Sequence, residues 1–259
     1  LDWPSLPVST HLASTTRVSL SVRQRMRSIC VFGAFFSSAL LTTLASAENW
    51  PRFRGPLANG VAADHTGLPE TWSQSENVRW VADITGWGWS GPIVWGDRVF
   101  PTAVASDDEY ERPKKGLYAG AGRPDPPEAV HHWLVYCLDL DTGEVLWRRE
   151  THQGPPVASR HQKSTYASET PAVDAERVYA LFGDVGLYGF DHEGELLWSR
   201  DIEPKPTKNG YGAAASPVVH GDRVFLVYDN DEASYLAAYD THTGEEIWRD
   251  SRDERSTWA

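Results

Sequence analysis

Cys137-Leu138-Asp139-Leu140-Asp141-Thr142-Gly143-Glu144-Val145-Leu146-Trp147 decides the fold, because the chain repeats it. Another copy runs Ala238-Tyr239-Asp240-Thr241-His242-Thr243-Gly244-Glu245-Glu246-Ile247-Trp248. Between the two lies Gly189-Phe190-Asp191-His192-Glu193-Gly194-Glu195-Leu196-Leu197-Trp198, one residue shorter, with Asp, Gly and Trp still in order. The three tryptophans stand 51 and 50 residues apart. A fixed period of that size marks one supersecondary unit used several times. The Asp-x-x-Thr-Gly segment reads as a turn, since Asp and Thr side chains bond nearby backbone and Gly accepts positive φ.

Upstream of each copy stands a second repeated segment. Ser90-Gly91-Pro92-Ile93-Val94-Trp95-Gly96-Asp97-Arg98-Val99-Phe100 aligns without gaps with Glu169 to Tyr179 and with Ala215 to Phe225. Each segment reads as a short apolar strand, a tight turn and a second strand. Proline at the head is tolerated, because the first residue of a strand can lack a ladder donor. A third strand then ends at the repeated Asp and a fourth at the repeated Trp. Four short strands per unit, with no helical period after Glu48, predict an all-β fold: a β-propeller of four-stranded antiparallel blades. About three complete blades are expected, out of about seven or eight in a closed ring.

The flanks extend the pattern. Val78-Arg79-Trp80-Val81-Ala82 reads as the last strand of a further unit, and Ser256-Thr257-Trp258-Ala259 matches Ser164-Thr165-Tyr166-Ala167, where unit two begins. Residues 78–259 are therefore expected to form part of a propeller, and the chain to be the N-terminal part of a longer protein. Residues 48–77, opening Asn49-Trp50-Pro51-Arg52-Phe53-Arg54-Gly55-Pro56, are rich in Pro, Gly and Trp and read as an ordered lead-in. In residues 1–47, Arg23, Arg25 and Arg27 precede an apolar run from Ile29 to Leu44, followed by Ala45-Ser46-Ala47. That is the order of a secretory signal, with its start at Met26, an untranslated extension before it and cleavage after Ala47. Ser37, Ser38, Thr42 and Thr43 interrupt the run, which is too short for a stable membrane span. Export to a periplasmic or extracellular location is the expectation.

Composition narrows the function. The chain holds 36 acidic against 24 basic residues, a net charge of −12, which argues against nucleic acid as a partner. Twelve Trp in a repeating chain point to packing between units, since one pocket needs only one or two such rings. Cys30 falls in the signal, so Cys137 is left alone and reads as a small buried hydrophobe. His131 and His132 are adjacent at a strand start and so diverge, a poor geometry for shared metal ligation. His152, His161, His192, His220 and His242 fall mostly at turns. No Gly-x-Ser-x-Gly elbow, phosphate loop, CxxC or HExxH pattern occurs. The spacing from Val99 to Val178 is 79 residues, against 46 from Val178 to Val224. The excess lies mostly between residues 107 and 132, a polar, Pro- and Gly-rich loop on one rim of the propeller. Such loops often bind partners, and surface decoration fits as well.

The repeat as a whole, Ala-x-Asp-x-x-Thr-Gly-x-x-x-Trp, is matched fully by Ala238 to Trp248, with Cys137 in place of Ala in one copy and a residue deleted in another. On these residues the chain resembles the quinoprotein-like, or PQQ-like, β-propeller repeat family, as an exported bacterial member. The pattern of WD repeats is absent. The resemblance implies that Trp80, Trp147, Trp198 and Trp248 stack between blades, and that Asp139, Asp191, Asp240, Gly143, Gly194 and Gly244 shape the turns beneath them. It also implies two kinds of function. Quinone-dependent alcohol or sugar dehydrogenases of the family hold pyrroloquinoline quinone (PQQ) and a divalent metal, usually calcium, and use an Asp base. Other members are non-enzymatic, including a scaffold of outer-membrane protein assembly. The adjacent cysteine pair of the alcohol-oxidising enzymes is missing here.

The expectation is a non-catalytic scaffold for protein or ligand interaction, acting through a propeller face or the 107–132 loop, with no cofactor assigned. The alternative is a PQQ-dependent oxidoreductase with part of its cofactor and metal ligands in further blades. Candidate binding residues sit on loops that lead into first strands: Trp87 and Trp89 in unit one, Arg160, His161, Lys163 and Tyr166 in unit two, Lys208 and Tyr211 in unit three. Aromatics and cations converging on a channel could cradle an anionic ring or a carboxylate. Their near-equivalent placement fits a recurring structural aromatic and solvated or paired lysines better. No catalytic residue and no metal ligand is assigned.

Overall fold

The structure is a computed structural model that describes residues 48–62, 68–109 and 125–258. The signal-peptide reading of residues 1–47 and the centre of the 107–132 loop lie outside these.

Three antiparallel sheets follow one another along the chain. The first contains β1 (Ile93–Trp95), β2 (Arg98–Phe100), β3 (Thr102–Ser106), β4 (His131–Asp139) and β5 (Val145–Gly154). The second is β6 (Ala172–Val173), β7 (Arg177–Phe182), β8 (Gly186–Asp191) and β9 (Leu196–Asp201), in that spatial order. The third is β10 (Val218–His220), β11 (Arg223–Tyr228), β12 (Tyr235–Asp240) and β13 (Glu246–Ser251), again in order. The first sheet is also four-stranded in substance. Arg98 pairs with Asp139 and Thr102 with Val135 in one unbroken register, so β2 and β3 are a single strand interrupted at Pro101, which has no N–H to give the ladder. Its carbonyl still accepts from Tyr136 N at 3.0 Å. The architecture is that of β-propeller blades. The one helical segment among the described residues is a 3-10 turn, Lys208–Gly210.

The core lies between blades. Alternation along β4 sends Trp133, Val135 and Cys137 toward Val173, Val178, Ala180 and Phe190 of the second blade, while Leu134, Tyr136 and Leu138 meet Trp80, Ala82 and Ile84. The second blade repeats the arrangement, with Tyr179, Leu181, Leu187 and Trp198 packed against Val224, Leu226, Ala237 and Tyr239 of the third. A sheet apolar on both faces needs a neighbour on each side, and this dictates an array of blades. Adjacent blades approach at their first strands, β1 with β6 and β6 with β10, so these strands form the inner edge. The lead-in lies along that edge. Trp50 makes a two-way bridge with Val94, and Pro51 O accepts from Val173 N at 2.8 Å, linking the first strands of two blades.

The two full-length repeated turns are built alike. Asp139 Oδ1 accepts from the N–H groups of Asp141 and Thr142 and from the Thr142 hydroxyl, at 3.0, 2.8 and 2.8 Å. Asp240 does the same with His242 and Thr243. These donors, the Thr142 hydroxyl foremost for Asp139 and the Thr243 N–H for Asp240, hold both carboxyls below the ordinary range. In the shorter copy Gly194 N reaches Asp191 O directly at 3.2 Å, where Gly143 N reaches Asp139 O across one more residue. Opposite each turn the last strand carries a bulge that leaves Leu146, Leu197 or Ile247 unpaired, just before the tryptophan.

The tryptophans then meet the turn of the next unit in a constant geometry. Trp80 Nε1 donates to Leu140 O, Trp147 Nε1 to His192 O and Trp198 Nε1 to Thr241 O, at 2.8 to 2.9 Å, and each acceptor follows the turn's Asp. Gly143, Gly194 and Gly244, at φ of 75°, 82° and 67°, lie under the rings. Any Cβ there would come within 2.5 to 2.7 Å of the indole. Arg149 and Arg200, two residues past their Trp, fasten the same turns by donating from Nε to Gly194 O and Gly244 O at 2.6 Å. Trp248 is 38% exposed, against 8% for Trp147 and 7% for Trp198.

Cys137 is fully buried and free, and burial pushes its thiol up to about 12. Thiol reagents are expected to leave the folded protein unmodified at pH 8 and to label it in denaturant, which mass spectrometry would show.

Candidate functional site

The loop after β5, the β7–β8 turn and the segment after β9 meet on one rim of the blades. They enclose a cleft of about 370 Å³. Trp133, His152, Phe182 and Tyr188 line it from the strands, and Pro155, Pro156 and Val157 from the loop after β5. Arg160, Tyr166, Tyr211 and Ala213 come from the loops that lead into the first strands of blades two and three. Three carboxyl residues line this space, Glu169, Asp184 and Asp201, and burial acts on the first two.

Glu169 stands just before β6 and is 3% exposed. Its Oε1 accepts from Gly183 N at 3.0 Å and its Oε2 from Ser168 N at 3.2 Å. Asp184 follows Gly183 in the β7–β8 turn and accepts from the Tyr228 hydroxyl at 3.4 Å, which itself accepts from Lys205 N at 3.0 Å. Desolvation dominates at both groups. It lifts Glu169 to about 8, with the Asp184 charge adding to the lift, and Asp184 to about 6 despite the Tyr228 bond. Carboxyl groups whose pKa values are raised by burial in a concave site are where ligand chemistry is sought first.

The candidates named from sequence divide. Arg160, Tyr166 and Tyr211 line the cleft, with the Arg160 guanidinium 5.4 Å over the Tyr166 ring and donating to Ser164 O at 2.8 Å. His161 adjoins them, its ring edge-on to Tyr211 at 4.5 Å and its backbone N–H donating to Tyr211 O at 3.1 Å. Trp87 and Trp89 lie elsewhere, in an extended segment on blade one, 40% and 58% exposed, with Trp87 paired to Val104. Lys163 is exposed on the loop after β5, and Lys208 begins the 3-10 turn, its N–H bonded to the Ser256 hydroxyl. Neither lysine lines the cleft. Glu169 and Asp184 were not singled out in sequence. A signal did exist for Glu169, since the aligned positions carry Ser90 and Ala215. His152 lies within β5 and His220 ends β10, so these two histidines are on strands and not at turns.

A second group of charges stands at the stem of the 107–132 loop. His132 Nδ1 lies 2.9 Å from Glu150 Oε2 and its Nε2 2.9 Å from Asp107 Oδ1. Bonding to Asp107, then to Glu150, raises its pKa above 6.5. The neighbouring His131, packed against Trp133 and Tyr166, is lowered by burial despite its bond to Ala129 O. The stabilising contribution of His132 is therefore complete below about pH 6.5 and is lost as pH rises through the raised folded value. NMR titration is expected to show the two adjacent imidazoles on opposite sides of 6.5, with Asp107→Asn moving His132 back toward it. Equal midpoints for the two rings would contradict this.

The repeat geometry and its inner edge give the setting for comparison with known proteins. The PQQ_2 family model, described as outer membrane protein assembly factor BamB, matches residues 70–257. The chain belongs to this family. Among curated proteins, it is 28% identical over 124 residues to the quinohemoprotein alcohol dehydrogenase ADH-IIG of Pseudomonas putida, across 45% of this chain and 16% of that one. It is 28% identical over 120 residues to the outer membrane protein assembly factor BamB of Salmonella typhimurium (strain LT2), across 45% of this chain and 27% of that one. The chain thus spans well under a third of either relative. Among solved structures, quinohemoprotein alcohol dehydrogenase from Comamonas testosteroni aligns over 80% of this chain and 28% of its own, with 17% identity and a TM-score of 0.47.

Proposed function

We propose that this PQQ_2 protein is an exported, non-catalytic β-propeller scaffold that binds a protein or ligand through the rim carrying the cleft. The observation that supports this most is the division of labour among residues. The repeated Asp, Thr, Gly and Trp are occupied in joints between blades, which leaves the irregular rim loops to differ from unit to unit. The likeness to an outer membrane protein assembly factor supports a protein partner outside the cytoplasm. Among the described residues no helix is long and apolar enough to cross a membrane. Capture of partners from a periplasmic extract with the full-length protein tests the reading. A reproducible partner lost on mutation of rim residues supports it, and quinone-dependent dye reduction with no bound partner overturns it.

The likeness to an alcohol dehydrogenase motivates a second reading, a PQQ-dependent oxidoreductase. Calcium takes about six to eight oxygen ligands. Among the described residues no three His, Cys, Asp or Glu side chains are grouped to hold a metal ion. These residues do not make a calcium set. The scaffold reading expects no quinone absorbance and no thermal shift on adding PQQ with calcium chloride, and both responses together would favour the oxidoreductase.

A further inference from the structure

We propose that the cleft over blade two binds an organic cation, an ammonium or guanidinium group carried on an aliphatic stem, between Glu169 and Asp184. The proposal specifies a ligand for the rim, and so rests on the scaffold reading.

Glu169 is hydrogen-bonded on both oxygens but, among the described residues, has no positive charge bonded to it. Its partners are backbone N–H groups on both oxygens, and no cationic side chain among the described residues bonds it or Asp184. Ionised, it is a desolvated charge with backbone donors and no bonded cation. The charged state is costly in a buried position. A group that supplies positive charge and N–H donors offsets this cost, and Asp184, next to Gly183, adds a second carboxyl.

The surrounding charges favour the same ligand. Asp201 also lines the cleft. Of the other lining side chains, Arg160 is directed to the Ser164 carbonyl and the Tyr166 ring, and His152 packs edge-on to Trp133. Lys205, behind Tyr228, pairs with Glu203 at 3.0 Å. The remaining wall is apolar or aromatic, with Pro155, Val157, Val185 and Ala213 available to an aliphatic stem and Tyr211 to the face of a cation.

The test is calorimetric titration of the full chain with n-butylammonium, N-acetyl-lysine amide and N-acetyl-arginine amide, beside the neutral N-acetyl-norleucine amide and calcium chloride. Binding by at least one cation is expected at pH 8, weakening more than about tenfold by pH 6 as Glu169 takes up its proton. Proton release should make the measured heat depend on the buffer. Glu169→Gln and, independently, Asp184→Asn should each weaken binding about tenfold or more, so that either variant serves if the other fails to fold. Butylammonium alone binding would assign a free amine, and a need for the amide carrier would assign a side chain of a peptide. Equal binding of the norleucine amide, response to calcium with none to the amines, or unchanged affinity in both variants overturns the proposal. A captured protein partner indifferent to Glu169→Gln would leave the scaffold reading standing while this one falls.

Discussion

Trp198→Ala is expected to lower the unfolding free energy by about 3–5 kcal/mol, the range for removing a buried aromatic ring. The ring sits over Gly244, donates to Thr241 O at 2.9 Å and packs with Tyr179 at 6.0 Å between centroids. Its loss opens a cavity between two blades and leaves the Thr241 carbonyl without that donor, two costs that add. Trp248→Ala is the matched comparison. Its ring occupies the same place in the repeat but is 38% exposed, so the same truncation should cost under about 1 kcal/mol in this chain. Urea unfolding followed by far-ultraviolet dichroism measures both. Similar midpoints for the two variants would contradict the assignment of Trp198 to an inter-blade joint.

Gly194→Ala is expected to cost about 2–4 kcal/mol. A φ of 82° is unfavourable for any residue with a Cβ, by about 1–2 kcal/mol. Added to this is the approach of that Cβ to within 2.7 Å of Trp147, which forces the ring or the turn to move. Moving the turn also pulls the Gly194 carbonyl from Arg149 Nε. Trp147→Ala relieves the steric part, so the double variant should be more stable than the sum of the two single losses predicts. Strict additivity in the double-mutant cycle would show that ring and glycine are not coupled. Gly221→Ala offers a contrast, because it keeps a positive φ, 58°, with open space around the added carbon. Only the backbone part of the cost should remain there.

The architecture was legible because propeller blades are local objects. Four strands joined by short turns are adjacent in sequence, so the alternation around Val178 and Val224 and the turn chemistry of Asp139 and Asp240 identify them without long-range information. The break at Pro101 was less visible. Sequence alone ends a strand at a proline, whereas the ladder resumes in the same register because only one donor is missing. The rim was legible only in part. Arg160, Tyr166 and Tyr211 could be named from the loops that hold them, yet nothing local distinguishes them from Lys163 and Lys208, which the loop paths carry away from the cleft.

The sequence by itself thus determined the repeat, the blade and the residues that join one blade to the next, since these depend on spacing within about 50 residues. Only the tertiary structure decided which side chains share a site. Glu169 precedes one strand and Asp184 follows the next. Their proximity comes from Gly183, whose N–H bonds one carboxyl while its chain neighbour carries the other. Their raised pKa values come from burial. Desolvation is a property of everything packed around a group, and no spacing along one chain records it.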